Sequence, residues 1–465
     1  MAIILPLCAA YALWCLITMP AGPISTPDSV HYLNASPIVP LGYPLFLNIV
    51  GARGAMFAQP ILFAAALAVL GRETIRATRS TWLAVAVVCG AILVPQMKDF
   101  HASVLTESLF MTAVIVFLAL VIRFVQQPSW QLMAWVATAV GLSATIRRTG
   151  LAFVPVLLLM VVLQRSRLSR SRAALVLVAA AAPCVLIIAT EQFAAGVVHA
   201  GQTSSLMGRH LFAKAALLEA PPAAPAADPL EAELERDLDE DYAPIRRLLH
   251  RAPRNVRAVL TINYETCLQG LCAERSRNLM PDRPEPAQTA IMGRVALKRI
   301  ARAPLEFARL TAMHYTSLWS VNRLRHPDTA PALTQFIALN RPLPFEGDTF
   351  RATPEYVIVF TGDHRVRYVQ WGNFALAILT AALALTGLVA AVTRRELPRE
   401  MTIACLAALA AHGGLIFTAL LAAGFSRFMI GLWPAITTAA LFGFWAALNE
   451  TTKFTKVATK HTNPT

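Results

Sequence analysis

Ten apolar segments, each long enough or nearly long enough to cross a bilayer, constrain this chain more than any other feature of its sequence. A membrane-spanning helix needs about 20 consecutive, mostly apolar residues. Several segments fall short of that length, so one or two of them could be tilted, broken or re-entrant. We predict spans at residues 2–20, 55–71, 81–97, 103–122, 130–146, 150–164, 173–193, 371–392, 401–424 and 428–448.

Composition supports the membrane interpretation. The chain has 465 residues, of which 56% are hydrophobic and 15% are charged. A soluble domain carries about 25% charged residues, so a cytosolic enzyme, a disordered chain and a disulfide scaffold are excluded. The net charge of +14 comes from short basic clusters between apolar runs, not from one stripe. That pattern is typical of the positive-inside bias of membrane proteins. It predicts that the chain contacts membrane lipids and does not bind nucleic acid.

Charge density divides the chain into parts. Residues 194–370 hold 22 of the 41 Lys and Arg residues and 19 of the 27 Asp and Glu residues. The fold class is therefore predicted as an all-α polytopic membrane protein interrupted by one large polar insert. The predicted parts are a transmembrane module of about seven helices at 1–193, the mostly helical insert at 194–370, a module of about three helices at 371–448 and a tail at 449–465.

Orientation follows from the distribution of Lys and Arg. With both termini inside, the inner loops and the tail carry 14 basic residues and the short outer loops carry 5. This places the insert outside and predicts cytoplasmic termini. The first segment lacks a basic n-region and a clear cleavage site, which indicates an uncleaved helix.

The insert is predicted to be mostly helical and partly laid on the membrane surface. An acidic run at 231–241 is typical of a solvated helix face, and residues 286–321 show apolar positions at helical spacing. A weak alternation at 356–360 is the main strand-like feature. Cys267 and Cys272 lie in the insert, where oxidation is permitted. Five residues apart on a continuous helix is too far for good disulfide geometry. Gln269 and Gly270 could break that helix, so the pairing of the two cysteines stays open.

The first outer loop contains a candidate general base. Thr26 and Pro27 favour a helix start. An acid on a short helix just outside a span, beside imidazole and aromatic groups, suits proton abstraction from a hydroxyl. The alternative is that this acid only complements the helix dipole. The predicted face carries Asp28, His31, Tyr32 and Ala35, and a turn with a second short helix follows around Tyr43.

Two further outer segments carry acids. Lys98, Asp99 and His101 form the short loop before the fourth span, and Glu107 lies in the first turns of that span. A carboxylate near the membrane face is costly and usually faces a cavity or a partner. Complementation of the helix dipole is again the alternative for Glu107.

Three of the four arginines in the short outer loops, which run against the positive-inside rule, are candidates for binding an anion. They are Arg147 and Arg148 before the sixth span and Arg427 before the last. The planar arginine fork pairs with phosphate oxygens, which suits an anionic head group. The alternative is snorkelling to lipid phosphates.

Taken together, these segments resemble the GT-C class of glycosyltransferases, similar to the dolichyl-phosphate-mannose and aminoarabinose transferase-like families. The likeness covers most of the membrane part, in order and on one side. Where the family often has Tyr, this chain has Phe428, and Asp99 takes the place of the family's second outer acid. The motifs that carry the resemblance are residues 28–35, 40–44, 105–110, 148–150 and 427–428, with the helical stretch 296–319 and its break at 302–307.

The resemblance implies transfer of one sugar from a polyprenyl monophosphate to a glycan, lipid or protein acceptor at the outer face of the membrane. The Ala- and Arg-rich composition indicates a bacterium, which predicts an inner membrane with the active site on its periplasmic side. Inversion of the anomeric centre is expected. The resemblance implies no particular cofactor, and the use of a divalent cation is undecided. The implied catalytic residues are Asp28, Glu107 and Asp99; the implied substrate-binding residues are His31, Tyr32, Tyr43, Lys98, His101, Arg147, Arg148 and Arg427.

Three other classes stay open at this stage. A transporter or flippase of lipid-linked sugars would also place arginine near phosphate, but it needs no outer base. Another membrane transferase with a metal cluster is disfavoured, since the six histidines of the insert show no HxH or HxxxH spacing. A structural or sensory protein would show no transfer of sugar.

Overall fold

The computed structural model describes residues 1–26, 28–93, 97–201, 206–221, 228–240, 242–243, 246, 278–319, 364–422 and 426–461. The side chains of 364–370, 426–427 and 452–461 are not part of that description. The two insert cysteines and the stretch at 356–360 lie outside the described residues. Within the described ranges no strand is present apart from one isolated parallel bridge between Ile24 and Ser103.

Helices form nearly all of the regular structure, because the apolar runs can satisfy their backbone groups internally only in this way. A 3₁₀ turn at Arg148–Phe153 precedes α8. In chain order the helices are α1 (Ile4–Ile17), α2 (Ser29–Leu33), α3 (Gly42–Thr78), α4 (Thr81–Ile92), α5 (Met97–Ala102), α6 (Thr106–Gln126), α7 (Trp130–Ile146), α8 (Val154–Leu163), α9 (Arg170–Val198), α10 (Met207–Ala215), α11 (Pro229–Glu240), α12 (Glu285–Arg302), α13 (Pro304–Leu318), α14 (His364–Thr393), α15 (Arg399–Leu421), α16 (Ser426–Ile430) and α17 (Trp433–His461).

The structure confirms an all-helical membrane protein. Among the described residues, five helices are long and apolar enough to span a bilayer: α3, α6, α9, α15 and the part of α14 from Trp371 to Thr393. Shorter apolar helices occupy Ile4–Ile17, Thr81–Ile92, Trp130–Ile146 and Arg148–Leu163. Each of the ten predicted segments overlaps a helix, but the count of ten spans stays a prediction.

Two local predictions for the first outer loop need correction. The helix α2 begins at Ser29, with Asp28 as its N-cap, and not at Thr26. The Thr26 backbone N–H instead donates to Ser29 Oγ at 2.8 Å, so Thr26 lies in the turn before the helix. Ala35 follows the helix with a φ of 44°, so it does not share the predicted face.

A kink divides α3 where the sequence predicts a short helix followed by a span. Gly51 has φ 72° and ψ 160° inside the helix. Residues other than glycine rarely adopt this backbone conformation, so Gly51 permits the chain to turn here. The segment after Tyr43 therefore becomes a juxtamembrane helix that runs into the span through the kink.

The membrane helices share one apolar core, with α6 and α15 at its centre. About 67% of the most apolar window of α6 and 72% of that of α15 are buried, against 22% for α9. Peripheral helices therefore expose apolar side chains such as Leu186 and Phe193 where lipid would surround them.

The described part of the insert is helical, as predicted, and has its own core. Phe212, Leu234 and Val295 lie in a second buried apolar cluster formed by α10 to α13. Ala303 separates α12 from α13, which confirms the predicted break at 302–307. The insert docks on the membrane helices through α13, where Tyr315 Oη lies 2.5 Å from His412 Nδ1 of α15.

Candidate functional site

The first outer loop is fastened to the segment before α6. The Ile24 N–H donates to Ala102 O at 2.9 Å, and the Val104 N–H donates back to Ile24 O at 3.0 Å. Ser29 Oγ adds a bond to Val104 O at 3.0 Å. These bonds hold the start of α2 beside the start of α6, so the loops that carry the two predicted acids meet.

Tyr32 lies at the centre of that meeting point. Its ring packs edge-on against Tyr43, with the ring centroids 5.2 Å apart. Burial raises the pKa of the Tyr32 hydroxyl above its usual range; the Asp28 and Glu107 carboxylates act in the same direction and Arg147 opposes them. Tyr32 therefore keeps its proton at neutral pH and can donate a hydrogen bond beside two acids.

Glu107 and Arg147 form a buried ion pair. Arg147 Nη1 lies 3.1 Å from Glu107 Oε1, and the exposed fractions of the two side chains are 16% and 3%. The Arg147 guanidinium lies over the ring of Phe428, with its Cζ 4.9 Å from the ring centroid. Glu107 Oε2 is buried and accepts no hydrogen bond in the described structure. That oxygen is enclosed by protein, so the role of Glu107 at this point is to hold Arg147.

Replacing Arg147 with Met is expected to destabilise the protein by roughly 3–5 kcal/mol, because Glu107 is left as an uncompensated buried charge. The measurement is the melting temperature in detergent. The control is Arg309→Met, which breaks a surface pair with Glu306 whose side chains are 53% and 42% exposed. Such pairs contribute about 0–1 kcal/mol. Equal melting temperatures for the two variants would contradict the assignment of a buried pair.

Arg148 is held by a carboxylate that the sequence analysis missed. Its Nη1 and Nη2 donate to the two oxygens of Glu191 in α9, at 2.9 and 3.0 Å. Glu191 Oε1 also accepts the Leu41 N–H at 3.1 Å, which joins the turn before α3 to the same site. The signal was present in the sequence: Glu191 is a single acid near the outer end of an apolar span, where acids are usually functional.

A cavity of about 540 Å³ opens beside these arginines. Its polar wall carries Arg147, Arg148, Thr149 and Glu191, and Phe428 closes one side. The remaining wall is largely apolar and comes from the first outer loop, the start of the insert and the end of α15; it includes Pro37, Ile38, Val39, Leu206, Met207, Phe417, Leu421 and Ala422.

The insert contributes His210 to the cavity. Burial, with help from Arg209 and Lys214, lowers the pKa of His210 to about 4, so its ring is neutral at pH 7. Lys214, one turn further along α10, is fully buried. It contacts His314 Nδ1 at 2.6 Å and donates to the Ala419 carbonyl of α15. This fastens the insert to the helix end that lines the cavity.

The structure does not bring the loop at 98–101 into the cavity wall. His101 is fully buried, with Nε2 2.9 Å from Tyr11 Oη and Nδ1 2.6 Å from Ser108 Oγ. Burial lowers its pKa to about 3, so it is a neutral histidine bonded at both ring nitrogens. Asp99 is exposed and Lys98 is half-buried.

The described cavity wall also does not include Asp28, His31, Tyr32, Tyr43 or Glu107. His31 is half-buried on α2, and Asp28 is half-buried at the N-cap of that helix. Arg427 is the second residue of α16, and its side chain lies outside the description, although the neighbouring Phe428 lines the cavity. Among the described residues no group of three or more His, Cys, Asp and Glu side chains is placed to hold a metal ion.

Comparisons with protein-family models, with curated proteins and with solved structures give no match to this chain. Support for a function therefore comes from the geometry of the site and from the sequence resemblance.

Proposed function

We propose that this protein is a membrane glycosyltransferase that moves a sugar from a polyprenyl monophosphate to an acceptor at the outer face. One observation carries the proposal. The cavity wall holds Arg147 and Arg148, and Arg147 also pairs with the buried Glu107 of α6. The residues just before α6 are bonded to α2 through Ser29, which follows Asp28. Cations that suit a phosphate are thus connected to the helix that begins at the candidate base.

The lining of the cavity favours an amphiphilic anion as ligand. Arginine forks on one wall suit phosphate oxygens, and the apolar wall suits a hydrocarbon chain. A volume of about 540 Å³ is that of a small-ligand site, enough for a head group and its sugar. A water-soluble nucleotide sugar would have no use for the apolar wall.

The proposed chemistry assigns one role to each group. Asp28 takes the proton from the acceptor hydroxyl as its oxygen bonds to the anomeric carbon. The bond from that carbon to the phosphate oxygen breaks, and the leaving phosphate monoester gains negative charge. Arg148, Arg147 and Arg427 stabilise that charge. Glu107 orients Arg147, and attack from the face opposite the phosphate inverts the anomeric centre.

The proposed topology is ten spans with both termini in the cytoplasm of a bacterium and the cavity on the periplasmic side of its inner membrane. Reporter fusions at Arg170 and at Pro225 are expected to lie on opposite sides, because 14 basic residues fall in the inner segments and 5 in the short outer loops. Activity of the same compartment-specific reporter at both positions would refute this topology.

The direct test incubates purified protein in liposomes with a panel of polyprenyl-monophosphate sugars and with lipid, glycan and peptide acceptors. A transferase releases polyprenyl monophosphate in step with glycosylated acceptor. A flippase, the alternative, moves a fluorescent lipid-linked sugar between leaflets without consuming it. Comparison of the glycolipids and glycoproteins of cells with and without the protein then identifies the sugar and the acceptor.

A further inference from the structure

Glu191 is the most fully bonded acid at the cavity. Its Oε1 accepts from Arg148 Nη2 and from the Leu41 N–H, and its Oε2 accepts from Arg148 Nη1 and from Gln192 Nε2 at 2.9 Å. Four donors from three chain segments therefore converge on one carboxylate whose side chain is 5% exposed. A buried acid with this many partners is fixed in place.

The same contacts determine what Arg148 presents to the cavity. A guanidinium carries five N–H donors in a rigid plane, and the fork to Glu191 uses one from each terminal nitrogen. The Arg148 side chain is 37% exposed and lines the cavity. Nη1 also makes a long contact of 3.5 Å to the Ala144 carbonyl. With its plane held by Glu191, Arg148 keeps the remaining N–H groups of Nη2 and Nε for an anion, without having to order its long side chain on binding.

We infer that Glu191 is a positioning residue that orients Arg148 for a phosphate monoester, and so sets the affinity of the cavity for the lipid-linked donor. This inference rests on the proposed function for the nature of the ligand. It deepens that function, since it assigns the orientation of the phosphate-binding group to an acid on a different helix, α9.

A competing role for Glu191 predicts the opposite result. If Glu191 acted as a resident anion that phosphate must displace, its removal would strengthen binding. The contacts favour positioning, because displacement would strip a buried carboxylate of two charge-assisted hydrogen bonds, which are strong. Glu191 would keep only Leu41 and Gln192 as described partners.

The test is a double-mutant cycle on binding of undecaprenyl monophosphate to purified protein, with undecaprenol and inorganic phosphate as separate ligands. Arg148→Ala is expected to weaken binding of the lipid phosphate tenfold to about a hundredfold. Glu191→Gln is expected to weaken it roughly three- to tenfold in the wild-type background and less than twofold in Arg148→Ala, because coupled residues are not additive. Undecaprenol and inorganic phosphate are expected to bind weakly, and neither substitution is expected to change their binding. That result would indicate that the cavity recognises the whole lipid phosphate.

A matched control is Glu73→Gln. Glu73 is also a buried acid that binds arginine, since Arg72 and Arg76 donate to its Oε1, but it does not line the cavity. Glu73→Gln is expected to leave the dissociation constant for undecaprenyl monophosphate unchanged. Equal weakening by Glu191→Gln in both backgrounds would overturn the inference in favour of a purely structural role, and tighter binding would overturn it in favour of displacement.

Two further arms keep the result decisive. If Glu191→Gln does not fold, Glu191→Asp takes its place, since it keeps the charge but shortens the reach to Arg148; the same coupling is expected. An Arg148→Ala protein that binds within twofold of wild type overturns the inference by itself. Binding is measured without sugar transfer. If the cycle shows the expected coupling between Glu191 and Arg148 in a protein with no transferase activity, the proposed function is rejected and the positioning role of Glu191 is retained.

Discussion

Replacing Asp28 with Asn is expected to lower sugar transfer by roughly 10²–10⁴-fold, the usual contribution of a general base, while the protein still folds. The amide keeps the shape of the carboxylate but cannot accept the proton of the acceptor hydroxyl. Asp28 is the half-buried N-cap of α2, and its side chain makes no capping hydrogen bond there. The measurement is the initial rate of transfer at saturating donor and acceptor.

Two further variants define the result for Asp28. Glu107→Gln is expected to be milder, because Glu107 is proposed to orient Arg147 and not to take the proton. Asp282→Asn serves as the control, since Asp282 is an exposed acid of the insert, and it is expected to transfer sugar at the wild-type rate. If Asp28→Asn kept half of the wild-type rate, Asp28 would not be the base.

Removing an outer arginine is expected to lower transfer at limiting donor from about tenfold to over a hundredfold. The estimate follows from the loss of a charged hydrogen-bond partner, about 1.5–3 kcal/mol, converted to a rate. Arg148→Ala and Arg427→Ala are expected to behave alike. Arg427→Lys should recover only part of the loss, because lysine lacks the planar fork.

The control for these variants is Arg53→Ala. Arg53 also belongs to an outer segment, but it is exposed and does not line the cavity, so its loss is expected to be tolerated. Snorkelling predicts that all three alanine variants transfer normally at limiting donor. That outcome would reject the assignment of phosphate to these arginines.

Much of the architecture could be predicted because it depends on local patterns. Apolar runs predicted the helices of the membrane part, and the spacing of Val295 and Leu310 predicted the amphipathic helices of the insert. Pro304 predicted the break between those two helices, since proline starts a helix well and interrupts one badly. The start of α2 was placed too early, because the exchange of hydrogen bonds between Thr26 and Ser29 competes with helix formation.

The site depended on contacts that no local pattern contains. Acids such as Glu107 and Glu191 could be recognised as costly within apolar runs, but their partners Arg147 and Arg148 lie on other parts of the chain. His101 looked like a ligand-binding residue beside Asp99, yet packing encloses it between Tyr11 and Ser108. Hydrophobic periodicity decides which segments leave water, because each residue contributes its own transfer free energy. Which polar groups then satisfy one another depends on how distant helices pack, and only the tertiary structure decides that.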